Sequence, residues 1–331
     1  MKTTLSLPAT AKPRERVFAN RPAFYVGLVI AASLVGFAYQ LRTQTIFACQ
    51  ADGYSADQYI AYCNGTRYAD YEHGAFWFDL EPAANAFAAD ADMLFLGNSR
   101  IQIAFSTAAT RDWFTVAGAR YYLLGFSYEE NVVMAEELLR KLHPRAKVYV
   151  INVDNFFDRY ETFPMKALLH DPDARGRYQA KRLWQHIHEP ICKAVPTVCG
   201  NDYVIFRSRE TGAYTKRTYK QNSLPVSYDE ALERDVIERN AATALAFLPR
   251  VKVDRDCIIL TMVPTVGTKI GNVRAVAKSL GASFITPEGV DGLRTFDGSH
   301  LDKPSAELWS RAFLEAASSK IHSCLARQFP E

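Results

Sequence analysis

The chain carries a run of 20 residues without a charged side chain near its N-terminus, from Pro22 to Leu41. A helix of about 20 apolar residues crosses the hydrocarbon core of a bilayer, so the run predicts a transmembrane helix at 22–41. The preceding tail at 1–21 holds one acidic residue, Glu15, and five basic ones, Lys2, Lys12, Arg14, Arg16 and Arg21. Because basic flanks tend to remain in the cytoplasm, we expect a single-pass protein of the cytoplasmic membrane with its N-terminus inside and the rest of the chain outside.

Two other interpretations of the run are a cleaved signal peptide and a buried core helix. The apolar core of a signal peptide is usually shorter, and no clear A-x-A cleavage site follows directly. A lipoprotein-like Cys49 lies beyond the polar stretch Gln40–Gln44 and is therefore separate from the apolar run. Because the basic flank also disfavours a core helix, an uncleaved signal anchor is the interpretation that fits best.

Six cysteines follow the apolar run, and an even number outside the membrane is compatible with disulfides. Pairing between neighbours along the chain would give Cys49–Cys63, Cys192–Cys199 and Cys257–Cys324. Six cysteines allow many other connectivities, and the sequence alone does not choose among them.

The composition restricts the class of protein. With 331 residues, 48% of them apolar, the chain is long enough to bury a full core. Its net charge of +3 gives no sign of a nucleic-acid partner. The sequence contains no C-x-x-C pair, no H-E-x-x-H motif and no glycine-rich phosphate loop, so we expect neither a metal nor a cofactor.

Short apolar runs and helical patterns alternate between about residues 91 and 326. The apolar runs predict five strands, at 92–97, 120–124, 147–153, 257–263 and 282–286. The helical patterns predict a helix from the capping box Ser127–Glu130 to about 142, one from the capping box Ser227–Glu230 to about 248, one ending near Gly281 and one at 303–325. Such alternation indicates an α/β fold, here a three-layer α/β/α sandwich around a mainly parallel five-stranded sheet.

Two segments lie outside this alternation. Residues 42–90 show little periodicity, and we expect a juxtamembrane segment that wraps onto the domain. At about 159–221 an insert carries 12 Lys and Arg residues against six acidic ones, interleaved with aromatic residues. It could bind an anionic glycan or phospholipid headgroups, or it could be a solvated insert without such a role. His186 and His188 within it are predicted to lie at the surface, because their spacing suits neither one helix face nor a usual zinc pair.

Two motifs are candidates for chemistry, because ligands bind beyond the carboxyl ends of the strands in an open parallel sheet. The motif at 97–100 (GNSR) follows the first strand, so Ser99 could act as a nucleophile or could cap the next helix. Asp297 and His300 are three residues apart, so the carboxylate could hold the imidazole in the tautomer of a general base. A surface turn would explain the same spacing, and either motif alone is common.

Together, G-N-S at 97–99 and D-x-x-H at 297–300 resemble the first and last blocks of the SGNH, or GDSL-like, hydrolase family. The resemblance covers roughly residues 90–325. It implies that Ser99 is the nucleophile of a catalytic triad, that His300 is the general base and that Asp297 is the partner of His300.

The middle blocks of the family supply donors to an oxyanion hole. The resemblance implies that Gly125 provides one backbone N–H. The third block appears here as N-V-D-N at 152–155, which puts Asp154 where the family has an asparagine donor. An ionised carboxylate cannot donate a hydrogen bond, so either Asn155 takes this role or backbone N–H groups form the hole alone. Asn98 also replaces the usual aspartate of the first block.

These departures look like a divergent, membrane-anchored branch of the family that works on cell-envelope polymers. The resemblance implies a periplasmic O-acyl transferase or esterase, most simply an O-acetyl one, that acts on a bacterial envelope polysaccharide. It also implies anchoring in the inner membrane and a membrane-bound O-acyltransferase as a partner. Two alternatives stay open: a lipid-directed hydrolase, and a non-catalytic SGNH-like scaffold subunit of an envelope polysaccharide biosynthesis complex.

Overall fold

A computed structural model of the protein describes residues 22–63, 68, 70–215 and 223–327. The predicted cytoplasmic tail at 1–21 and the end of the predicted insert at 216–221 lie outside the described residues. The first helix, α1 (Pro22–Gln44), contains the stretch Phe24–Arg42, which has a mean hydropathy of 1.8 and is long and apolar enough to cross a membrane. Its large apolar side chains from Phe24 to Tyr39 are each at least 54% exposed, so the protein itself does not cover them.

Strands and helices alternate through the rest of the described chain. In order they are β1 (Gln58–Cys63), α2 (Tyr71–Trp77), α3 (Pro82–Asp90), β2 (Met93–Asn98), α4 (Ser99–Phe105), α5 (Ala108–Ala117), β3 (Tyr121–Phe126), α6 (Val132–Leu142), β4 (Val148–Asn152), α7 (Phe163–His170), α8 (Ala174–Ala194), β5 (Val204–Ser208), β6 (Tyr214–Thr215), β7 (Leu224–Pro225), α9 (Arg234–Phe247), β8 (Ile258–Thr261), α10 (Ile270–Leu280), β9 (Ser283–Phe284), β10 (Arg294–Thr295) and α11 (Lys303–Leu325).

Five of the strands form one parallel sheet in the order β3-β2-β4-β8-β9. In its centre Phe95 of β2 lies between Leu123 of β3 and Val150 of β4. The strands β2, β3, β4 and β8 are buried along their whole length, as a parallel sheet with both faces covered requires. The predicted α/β fold with a five-stranded parallel sheet is confirmed.

Each face of the sheet packs into its own core, because successive side chains of a strand point to opposite faces. On one face Phe95 packs with α4, α5 and α11, and the rings of Phe105 and Trp309 there are 5.4 Å apart. On the other face Leu94 and Leu96 join a core that includes residues of α2, α3, α6, α9 and α10. The two cores hold the carboxyl edge of the sheet in a fixed position.

A smaller antiparallel sheet, in the order β1-β5-β6, joins the two segments that lie outside the alternation. β1 belongs to the segment predicted to wrap onto the domain, and β5 and β6 belong to the basic insert. Tyr59 of β1 lies opposite Arg207 of β5. The two segments therefore pair with each other, although about 140 residues of chain separate them.

A fully buried ion pair between Arg207 and Glu72 connects this small sheet to the large one. Arg207 and Glu72 are both 0% exposed, and Arg207 Nη1 donates to Glu72 Oε2 at 2.8 Å. Arg207 Nη2 also donates to the carbonyl of Leu123 in β3 at 2.6 Å. Glu72 accepts further hydrogen bonds from the backbone N–H of Ser127 at 3.0 Å and from the hydroxyl of Tyr214 at 2.8 Å. Four separate parts of the chain thus meet at one charged pair.

Three disulfides join the cysteines in the connectivity that pairing between neighbours predicts: Cys49–Cys63, Cys192–Cys199 and Cys257–Cys324. The first closes the chain between the end of α1 and β1. The last ties the start of β8 to the end of α11, across 67 positions of sequence.

Both capping-box predictions were wrong about where the helix begins. Ser127 does not cap a helix, because its N–H and its hydroxyl both donate to Glu72. The helix α6 begins five residues later and is capped by Asn131. The oxygen of Ser227 likewise accepts the N–H of Gly267, and α9 begins only at Arg234. In both places a distant partner competes successfully with the local cap.

The prediction that His188 lies at the surface was also wrong, whereas His186 is exposed as predicted. His188 is 0% exposed on the inner face of α8, where its Nδ1 lies 3.1 Å from the hydroxyl of Tyr54 and its ring packs against Phe47. Burial lowers the pKa of His188 from its ordinary value of 6.5 to about 4. The buried His188 is therefore a neutral part of the core.

Replacing Glu72 by glutamine should strongly destabilise the fold, because it leaves the Arg207 guanidinium buried without its counter-charge. We expect a loss of about 3–5 kcal/mol in the free energy of unfolding. Denaturant unfolding of the full chain in detergent, followed by circular dichroism, measures this loss. The matched control is Glu189→Gln, which removes a surface pair with Lys193 and should change stability little. Equal shifts in the two variants would contradict the importance of the buried pair.

Candidate active site

Ser99 lies at the carboxyl edge of the parallel sheet, where β2 passes directly into α4. Gly97 has a φ of 154°, and a Cβ there would come within 2.9 Å of the Ile101 side chain, so glycine allows the sharp turn. Asn98 caps α4, since its Oδ1 accepts the N–H of Arg100 at 2.9 Å. The capping role that the sequence left open for Ser99 thus belongs to Asn98, and the hydroxyl of Ser99 is available for another partner.

Asp297 and His300 share a tight turn between β10 and α11. Asp297 Oδ1 accepts the backbone N–H of Ser299 at 2.9 Å and that of His300 at 2.8 Å. Gly298 has a φ of 88°, and its N–H donates to the Thr295 side chain at 3.1 Å. These bonds fix the orientation of the carboxylate before it contacts the imidazole.

The structure brings Ser99, His300 and Asp297 into one hydrogen-bonded row. Ser99 Oγ lies 2.8 Å from His300 Nε2, and His300 Nδ1 lies 2.8 Å from Asp297 Oδ2. A carboxylate can only accept a hydrogen bond, so Nδ1 carries the proton that faces Asp297, and Nε2 accepts the proton of Ser99. In this geometry a histidine can serve as general base toward a serine hydroxyl.

The electrostatics of the row keep the carboxylate charged. Partial burial alone would raise the pKa of Asp297, but the hydrogen bond from His300, the charge of its protonated form and the backbone N–H groups of Ser299 and His300 outweigh it. They hold the pKa of Asp297 below its ordinary value. The side chains of Asp297 and His300 are 41% and 19% exposed, so the row is open to a ligand from solvent.

Gly125, predicted to supply an oxyanion donor, lies next to Gly97 across the sheet. Its N–H donates to Oε1 of the fully buried Gln102 at 3.2 Å and is therefore already occupied. A Cβ on Gly125 would lie 2.7 Å from the carbonyl of Asn98, so glycine is needed here for close packing between strands. The sequence did not predict that Gln102 accepts the N–H of Gly125, because this contact depends on how α4 packs against β3.

Asn155, the other predicted donor, is held by neighbours at the carboxyl end of β4. Its Nδ2 donates to the hydroxyl of Tyr160 at 3.1 Å, and its Oδ1 accepts from Asn98 Nδ2 at 2.7 Å. The backbone N–H of Ser99 differs from both predicted donors. It belongs to the first residue of α4, where the helix itself offers no acceptor.

An ion pair that the sequence reasoning missed fills the third-block position. Asp154 pairs with the guanidinium of Arg100 and accepts from Asn98 Nδ2 at 2.9 Å. Arg100 Nε also donates to the Ser299 hydroxyl at 2.9 Å, inside the turn that carries His300. Arg100 thus connects the end of β4 to the histidine turn. The only sequence signal was the arginine directly after Ser99, since the contact depends on strand order.

The backbone after β3 is strained beside this edge of the sheet. Tyr128 and Glu129 are consecutive non-glycine residues with φ of 61° and 57°. The carbonyl of Glu129 accepts from the hydroxyl of Tyr160 at 3.2 Å. Such conformations cost about 1–3 kcal/mol per residue and cluster at functional sites, which agrees with a site at this edge.

A cavity of about 290 Å³ has Arg100 and Asp154 in its wall, whereas Ser99, Asp297 and His300 do not line it. Its buried lining is half apolar and half polar: Val153, Met262, Val273 and Val276, with Asn240, Thr265, Thr268 and Asn272. Lys269 lies in its more exposed part, so the cavity has a mixed interior and a charged rim.

One group of side chains has the composition of a metal site, far from Ser99 in the fold. The ligand atoms of His188, Cys192 and Cys199 lie within 4.8 Å of one another. Both sulfurs are joined in a disulfide and so are not thiolate ligands. In the oxidised protein this group contributes to the packing of α8.

Comparison of the chain with protein-family models, with curated proteins and with solved structures gives no match. A function at this edge is therefore indicated by the geometry of Ser99, His300 and Asp297 and by the motifs that contain them.

Ser99 should react with a fluorophosphonate, which phosphonylates serines that a neighbouring base activates and releases fluoride. Intact-mass spectrometry of the full chain should detect one adduct, which peptide mapping assigns to Ser99 and which Ser99→Ala lacks. Ser106→Ala is the matched control, because the Ser106 hydroxyl donates to the carbonyl of Gln102 and accepts the N–H of Tyr214. Equal labelling of wild type and Ser99→Ala would argue against an activated Ser99.

Proposed function

We propose that the protein is a serine hydrolase or O-acyltransferase of the SGNH type, in which Ser99, His300 and Asp297 form the catalytic triad. The observation that carries this proposal is the pair of 2.8 Å contacts from Ser99 to His300 and from His300 to Asp297. The position of Ser99 at the carboxyl edge of a parallel sheet, with helices on both faces, supports an SGNH-like α/β/α sandwich.

In the proposed reaction Ser99 Oγ attacks the carbonyl carbon of an acyl donor while His300 Nε2 takes the hydroxyl proton. The Ser99 N–H stabilises the oxyanion, and Asp297 stabilises the imidazolium. The tetrahedral intermediate collapses to an acyl-enzyme as His300 returns the proton to the leaving group. A sugar hydroxyl or water then gives its proton to His300 and attacks the acyl carbon. The bond from the acyl carbon to Ser99 Oγ breaks as His300 returns the proton to that oxygen, and the free enzyme is restored.

The acceptor that we propose is a hydroxyl of an envelope polysaccharide, and the acyl group is acetyl. A lipid-directed hydrolase would need a long apolar channel at Ser99. The proposed acyl donor is a membrane-bound O-acyltransferase that lies beside α1.

A non-catalytic scaffold is the second candidate, and one observation favours it. Gly125 and Asn155, the donors that the family resemblance implies, both bond to other protein groups. Asp154 pairs with Arg100 and cannot donate. A scaffold has no need for the intact row from Ser99 to Asp297, and this is why we favour catalysis.

Turnover of p-nitrophenyl acetate by the full chain in detergent tests the triad. Ser99→Ala should reduce the rate to background, and Asp297→Asn should reduce kcat about 10⁴-fold, because the amide does not stabilise the imidazolium. Asp302→Asn is the matched control, since Asp302 caps α11 and does not contact His300 in the bonds described. If the wild type also shows only the background rate, the hypothesis of a simple esterase is excluded. A partner-dependent transferase and a non-catalytic scaffold would then be the two candidates.

We also propose that α1 is an uncleaved signal anchor in the inner membrane, with the disulfide-bonded domain in the periplasm. Carbonate extraction should leave the chain in the membrane fraction. Alkaline phosphatase fused after residue 331 should be active, and the same enzyme fused after residue 15 should be inactive. Release of the chain by carbonate, or the opposite pattern of phosphatase activity, would overturn this topology.

A further inference from the structure

The helix α8 has an apolar outer face that the protein does not cover. Its inner face is buried, with Tyr178, Gln185 and His188 among the contacts. On the outer side of its second half and just beyond its end, four large apolar residues are exposed by 37% to 60%: Leu183, Trp184, Ile191 and Val195. A soluble surface helix normally presents polar residues on that side, so this face indicates an apolar partner.

This outer face lies where the chain leaves α1. Only Thr45 separates α1 from a short 3₁₀ turn at 46–48, which is buried against α8. Phe47 of this turn packs its ring 6.1 Å from that of Trp184. Arg42, near the end of α1, donates to the carbonyl of Thr197 at 3.2 Å. The end of the apolar helix and the exposed face of α8 are therefore neighbours.

The charge of α8 is consistent with a lipid surface. Between residues 174 and 194 the helix has one acidic residue, Glu189, and five basic ones, Arg175, Arg177, Lys181, Arg182 and Lys193. Arg177, Lys181 and Lys193 pair with acidic residues of the protein, so the charge that can face lipid is that of Arg175 and Arg182. Helices that combine basic residues with an apolar face containing Trp and Leu lie in the interface of bilayers that hold anionic lipids. The aromatic ring of Trp184 is of the type that prefers the headgroup region.

We propose that the outer face of α8 lies on the outer surface of the bilayer that α1 enters, with Leu183, Trp184 and Ile191 at the level of the headgroups. The proposal rests on α1 as a membrane anchor but not on the triad. A single anchor leaves a domain free to rotate about its tether. The second contact removes this freedom, so the carboxyl edge of the sheet has a fixed direction relative to the membrane.

Fluorescence quenching in vesicles tests the contact. The full chain is reconstituted into vesicles of phosphatidylcholine and phosphatidylglycerol, with and without bromine on the acyl chains near the headgroups. The chain has four tryptophans, of which Trp309 is fully buried. Brominated lipid should quench the emission of the wild type, and Trp184→Phe should lose this quenching. The matched control Trp113→Phe, on α5, should keep it.

A second pair of variants tests the face without touching the fluorophore. Leu183→Asp with Ile191→Asp should reduce the quenching of Trp184, because charges on this face oppose its contact with lipid. Val116→Asp, at a 90% exposed apolar position on α5, should leave the quenching unchanged. Circular dichroism of each variant checks that the chain is folded.

The outcomes separate the anchor from the contact. Carbonate extraction of the same vesicles reports on α1 alone. If the chain is retained but quenching is absent, or is equal in wild type and Trp184→Phe, the contact of α8 with lipid is overturned and the anchor is supported. The apolar face of α8 would then contact another protein. Release of the chain would overturn both.

Discussion

The buried pair of Arg207 and Glu72 is the interaction on which the rest of the structure depends. Two charges away from solvent are stable only when they are paired and hydrogen-bonded, and the partners of this pair come from distant parts of the chain. Leu123 and Ser127 are at β3 and its exit, and Tyr214 is in β6. The segment after α1 and the basic insert are therefore joined to the domain that carries the candidate site. The carboxyl half of β3 is held at Leu123 and again at Ser127, just after the strand ends.

Elements whose signal is local could be predicted from the sequence. The four buried strands are continuous apolar runs, and α11 is a periodic one. The central part of each element can therefore be recognised in a short window of sequence. The pairing of β1 with β5 could not be predicted, because it depends on contacts across about 140 positions. The capping box at Ser127 failed for a related reason: Glu72, remote in sequence, is a stronger partner for Ser127 than the helix terminus.

The same division between local and remote signals applies to the candidate site. Ser99 stands in a short motif where β2 of the parallel sheet ends, which is where ligands of such sheets bind. Asp297 and His300 stand in another short motif, but it follows β10, which pairs with β7 outside the parallel sheet, so strand order alone does not bring it to Ser99. Arg100 and Gln102 could not be assigned roles, since those roles exist only in contacts with Asp154, in the turn after β4, and with Gly125 of β3. The sequence therefore indicated which residues could take part in the site. It did not indicate the hydrogen bonds that decide which of the donors are already occupied.

The Gly125 and Asn155 donors already bond to other protein groups, and this affects how fast an acyl-enzyme at Ser99 would form and react. Loss of one oxyanion donor typically slows the chemical step about 10²–10³-fold, and it slows attack by water on the acyl-enzyme as well. Attack by a sugar hydroxyl passes through the same oxyanion and is slowed as much, so the occupied donors of Gly125 and Asn155 do not distinguish transfer from hydrolysis. What separates the two reactions is the acceptor: a transferase must hold a sugar hydroxyl at the acyl carbon and keep water out, whereas an esterase needs only water. The choice between them therefore depends on the residues that bind an acceptor rather than on the triad.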